Sequence, residues 1–174
     1  STLVEVHATL LSTLPGLERA ARLRAREVRI RSPRDGHITI LEIPQPEIKD
    51  ALSTYAMAFD AALWRDIHPL IRCSLGCLQS LRMAPYSDAT GRMARLIMQG
   101  LMHESSIPTL PLAAVLEWNR SAYIASVNRG IRQHDSLAFV RFALSAVEQA
   151  IVAGQHMRQA IKPACEQGRN SFCR

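Results

Sequence analysis

The sequence predicts a mainly helical single domain carrying one β-hairpin. Apolar residues recur at helical spacing through most of the chain, and only one stretch, VRIRSPRDGHITILEI, alternates like paired strands. A length of 174 residues, 48% hydrophobic and 21% charged, suits one core over residues 1–174.

Taken in order, Val4 to Leu14 has helical periodicity and is ended by Pro15-Gly16. The arginine-rich run Leu17 to Glu27 can hold a second short helix. The hairpin, about Val28 to Leu41, turns around Pro33-Arg34-Asp35-Gly36. It has no further strand to join, so it is expected to project as a flap with a free edge, and Val28, Ile30, Ile38 and Ile40 are its candidate target-binding residues. Pro44 and Pro46 make an extended connector, and a helix follows from Glu47 to Arg65, interrupted by Asp66 to Pro69. Leu70 to Met83 is apolar on most sides and reads as a central buried helix. Further helices are expected at Gly91 to His103, Leu112 to Asn119, Ala122 to Arg129 and Ser136 to Ile161, the last capped by Asp135. The tail after Pro163 is expected to be loose.

The formal charge of +6 and a pI near 9.7 favour an anionic partner. Lysine occurs only at Lys49 and Lys162; the other basic residues are arginine, which suits bidentate phosphate contact but also follows genome composition. Cys73 and Cys77 fall on one face of the central helix and read as core side chains, so a reducing compartment is expected. The Met93, Met98 and Met102 stripe likewise reads as core filler. No apolar run is seen to approach the roughly 20 residues of a membrane span, and no secretory leader opens the chain, so a soluble protein without membrane partners is expected. The start at Ser1, without methionine, reads as a trimmed chain.

Chemistry concentrates in APYSDATGRMAR, residues 84–95. Small residues at Ala89, Thr90 and Gly91 open a helix, where unpaired N–H groups and the helix dipole favour an anion. Asp88 can hold a Mg²⁺ that bridges phosphate oxygens, and Arg92 and Arg95 can reach the same anion. On spacing alone, a helix cap with two solvated arginines remains an alternative.

The loop resembles the Fic family signature HPFx(D/E)GNGRxxR. Pro85, Asp88, Gly91, Arg92 and Arg95 match it, and Tyr86 stands for its aromatic. The likeness extends over about Val4 to Val152: Val6-His7-Ala8-Thr9-Leu10 in the first helix, the hairpin and proline connector, His68-Pro69-Leu70-Ile71, and LAAVLEWNRSAYIASVNRG before the last helix. It implies a Fic-like helical bundle with a hairpin flap. The activity implied is a protein adenylyltransferase, moving AMP or another NMP from Mg-ATP to a Tyr, Thr or Ser hydroxyl of a target protein. Mg²⁺ and ATP would be held by Asp88, Ala89, Thr90, Gly91, Arg92 and Arg95. It further implies a bacterial cytoplasmic protein, or an effector or toxin delivered into a host cytosol.

Two departures matter. Ala84 stands where the family has its histidine base, and alanine accepts no proton, so a chain with this residue is expected to be nearly inert in transfer. This is either a natural pseudoenzyme that binds nucleotide or a protein partner without catalysis, or a deliberate replacement of the histidine. Ala89 and Thr90 replace Gly and Asn, which leaves the transferred group open. The family's inhibitory pattern (S/T)xxxE(G/N) is met only in part, by Ser1 to Glu5 with Val6 in the last place, and reads as a chance match. Inhibition is instead assigned to a separate protein or to a region outside this chain. His68 reads as a helix-start residue and His37 as a solvated strand residue. A nucleic-acid interface along RAARLRAREVRIRSPR is disfavoured, because aromatic residues make up only 5% of the chain and a solvated face explains its arginines.

Overall fold

The computed structural model describes residues 8–10, 22–25, 29–31, 38–40, 44–60, 64 and 66–172. Residues 8–10 are helical, within the expected first helix. The rest of that helix, the expected Leu17–Glu27 helix apart from residues 22–25, the hairpin tip and Val28 lie outside the described residues; residues 22–25 are not helical, contrary to that expectation, because Leu23 pairs with Tyr86 in an antiparallel bridge. Two short strands, β1 (Arg29–Arg31) and β2 (Ile38–Ile40), pair antiparallel, with Ile30 opposite Thr39 and Arg29 and Arg31 opposite Ile40 and Ile38.

A 3-10 turn over Gln45–Glu47 leads into α1 (Ile48–Asp60), and the remaining helices are α2 (Pro69–Met83), α3 (Thr90–Glu104), α4 (Leu112–Trp118), α5 (Arg120–Arg132) and α6 (Ser136–Phe172). The fold is mainly helical, as the periodicity predicts. α2 is the hub: it packs against α1, α3, α5 and α6, and none of its residues is exposed.

Local chemistry explains where α2 starts. Pro69 occupies its first turn, where no N–H is needed, and His68 caps it by accepting from the Leu70 N–H at 3.3 Å through Nδ1. Inside, Cys73 and Cys77 are buried and free, and burial pushes the Cys77 thiol up to about 12, the behaviour of a core side chain. No group of three or more potential metal-ligating side chains occurs among the described residues. Tyr55 ties α1 to α2, donating to the Gly76 carbonyl at 3.1 Å and sharing a hydrogen bond with Ser80; its burial raises the phenol to about 12.

Two expectations are corrected at the C-terminus. The tail after Pro163 is helical and continues α6 to Phe172, because α6 is already long when it meets the proline and one lost backbone bond does not end it. Ser136–Ile161 is also long and apolar enough to cross a bilayer by composition, contrary to the expectation that no run is. Periodicity hides this, because Phe139, Val140, Ala143, Ala146, Val147 and Ala150 turn inward to the core while Ile151, Val152, Met157 and Ile161 face outward.

Gly130 lets α5 approach α2. A Cβ there would stand 2.8 Å from Leu78 Cδ1, and Leu78 is itself only 2% exposed. Gly130→Ala should therefore lower stability by about 1–3 kcal/mol through overpacking, whereas in a Leu78→Ala background it should be neutral or stabilising; a double-mutant cycle in urea checks the reversal of sign.

Asp135 caps α6 as expected, its Oδ1 accepting from the Ala138 N–H at 3.0 Å. That bond, and then Arg129, hold its carboxyl below the usual value of 3.8. The cap's pH-linked contribution is complete above that unfolded value and is lost as pH falls through the lower folded one. Asp135→Asn keeps the acceptor but should flatten the acid limb of Tm against pH below about 4.

Candidate active site

The loop between α2 and α3 takes its shape from two left-handed residues. Ala84 ends α2 with φ 38° and donates its N–H to the Ser80 carbonyl at 3.0 Å; Ala89 precedes α3 with φ 60°. Left-handed geometry costs a Cβ-bearing residue about 1–2 kcal/mol, and asparagine and histidine tolerate it better than most. Both alanines therefore sit where the chain prefers another residue, and they are two of the positions at which the loop departs from the signature it resembles.

Beyond Ala89 the backbone N–H groups of the first helical turn, Thr90, Gly91 and Arg92, have no side-chain cap. Gly91 is informative because packing does not require it: a Cβ there would meet only Arg95 Nη1, at an ordinary 3.5 Å. A glycine in a helix costs about 0.5–1 kcal/mol relative to alanine, so its presence fits close approach by a ligand.

Asp88 and Arg92 lie side by side, and Arg95 comes back beside Gly91. Asp88, exposed, accepts from the Ala89 N–H at 2.5 Å and faces Arg92 at 3.6 Å. Thr90 Oγ1 donates to the Tyr86 carbonyl at 3.4 Å, so the hydroxyl serves the loop itself. Arg95 runs back over Gly91 and also acts electrostatically on Cys77 and on Tyr123 of α5. The Tyr123 hydroxyl is buried without a hydrogen-bond partner of good geometry and burial raises it strongly; the guanidinium nearby offsets part of that cost. Asp88, Ala89, Thr90, Gly91, Arg92 and Arg95 thus lie together around the start of α3.

Ala84 is different. Its methyl group belongs to the hydrophobic core and is fully buried, so the position expected to mark the missing base lies under cover. The cover is a segment that sequence reasoning missed: Leu23 forms an antiparallel bridge with Tyr86, and Arg24 donates its N–H to the Pro85 carbonyl at 2.8 Å and its Nε–H to the Ala84 carbonyl at 2.9 Å. Arg24 is 1% exposed, which corrects the reading of this arginine run as a solvated face; Arg22 is exposed. No composition signal separates the two. Of the flap residues, Ile30, Ile38 and Ile40 lie in the paired strands.

The donor set bears on Mg²⁺ as well. Among the described residues no group of three potential metal ligands surrounds Asp88, so a Mg²⁺ held there would take its remaining ligands from phosphate and water, not from a protein cage. The space bordered by Pro85, Tyr86, Thr90 and Met93 is only about 10 Å³, and Asp88 lies outside it with its side chain exposed. A larger apolar cavity of about 380 Å³, between α1 and α2, is lined by none of the loop residues 84–95.

No family model and no curated protein matches the chain in sequence. Solved structures match its fold. Fic-1 from C. elegans superposes with a TM-score of 0.71 at 23% identity, over 93% of this chain and 43% of that one. A variant of Fic-1 with one glutamate-to-glycine change superposes at 0.69, with the same identity and coverage. This chain spans less than half the length of those neighbours, and its fold is Fic-like.

Proposed function

We propose that this chain is built as a protein nucleotidyltransferase of the Fic type, directed at a Tyr, Thr or Ser hydroxyl of a target protein, with Ala84 in the place of its base. The observation that carries the proposal is the uncapped start of α3, with a glycine that packing does not require and Asp88, Arg92 and Arg95 around it.

The N–H groups of Thr90, Gly91 and Arg92 bind the phosphates, and Arg92 and Arg95 neutralise the diphosphate end. Asp88 would hold Mg²⁺, which when bound supplies charge neutralisation between phosphate oxygens. The target segment is held in extended form along the β1–β2 edge. In the transfer, the target oxygen bonds to the α-phosphorus, the bond to the bridging oxygen breaks, and pyrophosphate leaves. The proton of the hydroxyl needs an acceptor, and Ala84 supplies none. For the same reason a second reading, a nucleotide-binding pseudoenzyme, is favoured if restoring a base restores nothing.

Mg-ATP binding should survive the alanine, and Arg92→Ala should weaken it by about 1.5–3 kcal/mol, the usual cost of losing a charged hydrogen-bond partner. Titration calorimetry measures this; an absence of heat with every Mg-nucleotide counts against the proposal.

Ala84→His should restore transfer by about 10²–10⁴-fold, read as α-phosphate label on protein in a lysate. Position 84 is buried, so the new ring should cost about 1–3 kcal/mol in stability through overpacking. Asp88→Ala in that background should abolish the gain. A folded revertant that binds Mg-ATP and labels nothing leaves the pseudoenzyme as the better account, and label arriving only from the γ-phosphate would identify phosphoryl transfer.

A further inference from the structure

Arg24 is one of the largest fully buried side chains described, and it carries a permanent charge. Placing a guanidinium out of water is expensive, and an apolar residue of similar volume commonly serves stability as well or better. What Arg24 holds is specific. Its backbone N–H and its Nε–H grip two successive carbonyls, those of Pro85 and Ala84, while its neighbour Leu23 pairs with Tyr86. One residue therefore fixes the orientation of both peptide units that follow the left-handed turn at Ala84. The anion-binding turn begins only at Ala89 and is held mainly by Asp88 and by the Met93 N–H bonded to the Ala89 carbonyl at 2.8 Å, with one long 3.4 Å bond from Thr90 Oγ1 back to the Tyr86 carbonyl.

We infer that Arg24 is a positioning residue that sets the direction of the side chain at position 84, independently of the phosphate-binding turn. The inference rests on the proposed transfer reaction for its functional consequence, but not for its structural content. A left-handed residue sits in a small and sparsely populated backbone basin, so its aim is sensitive to what clamps the adjoining carbonyls. Arg24 supplies that clamp from a segment 60 residues earlier in the chain.

The test has two arms, each using Arg24→Met and Arg24→Lys in the full chain. In hydrogen exchange, the amide of residue 24, which donates to the Pro85 carbonyl, should exchange about ten- to a hundredfold faster in Arg24→Met, as expected for the loss of a charged donor beside it. The Met93 amide should be unchanged. In the Ala84→His background, Arg24→Met should lower kcat for labelling by about ten- to a hundredfold, the cost of a misplaced group, while the KM for Mg-ATP stays within about twofold. Arg24→Lys should fall between, because it keeps charge and length but not the Nε–H; if Arg24→Met does not fold, this variant carries both arms. Uniform acceleration that includes Met93, no acceleration at all, or parallel losses in kcat and Mg-ATP affinity would overturn the inference and leave Arg24 a general stabiliser. If the Ala84→His protein labels nothing, the transfer reading falls alone, and the exchange arm still decides what Arg24 holds.

Discussion

The site depends on how one buried helix ends. α2 is covered by four other helices, so its last turn cannot relax outward, and the chain must leave it through a left-handed residue whose side chain is already inside the core. From that forced exit follow the course of Pro85 and Tyr86, the second left-handed turn at Ala89, and the start of α3 at Thr90. The loop is short and its ends are fixed by tightly packed helices. Its conformation is thus imposed by tertiary structure, even against the preferences of the two alanines.

The electrostatics follow the same geometry. Arginines approach the loop from three directions: Arg24 from the buried side, Arg92 from the half-buried first turn of α3, and Arg95 along the helix toward Tyr123. Among the described residues, Asp88 is the carboxylate the loop itself provides. Positive charge held by packing and a single acidic group at the rim suit an anion that arrives with its own cation. On the proposed reading, the uncapped turn at Thr90 is distinct from the covered position 84, so the alanine is compatible with intact nucleotide recognition.

Much of this was legible in the sequence, and the illegible part has a physical pattern. Helix existence, the central burial of Leu70–Met83, the His68 and Asp135 caps and the core role of the cysteines follow from periodicity and local hydrogen bonding, which a sequence exposes directly. Ala89 to Arg95 could be read together as a candidate site because its members lie within two helical turns. Arg24 could not be found that way. Its neighbours in sequence are arginines of the same type, and only a partner 60 residues away distinguishes it from exposed Arg22. The burial of Ala84 was hidden for the same reason, and the run of α6 through Pro163 escaped because one proline outweighs its flanking residues in local reasoning but not in a long helix.

The 60-residue span between Arg24 and Ala84 has a kinetic consequence. Pairs such as α2 with α3, or α5 with α6, join neighbours in the chain and can form early, whereas a contact that closes a long loop is entropically delayed until its ends are already anchored. The bundle is therefore expected to collapse first and the loop to be locked last. A population of molecules can be fully helical by circular dichroism while position 84 still lacks a fixed direction, so helical content is a poor proxy for a finished site in this protein.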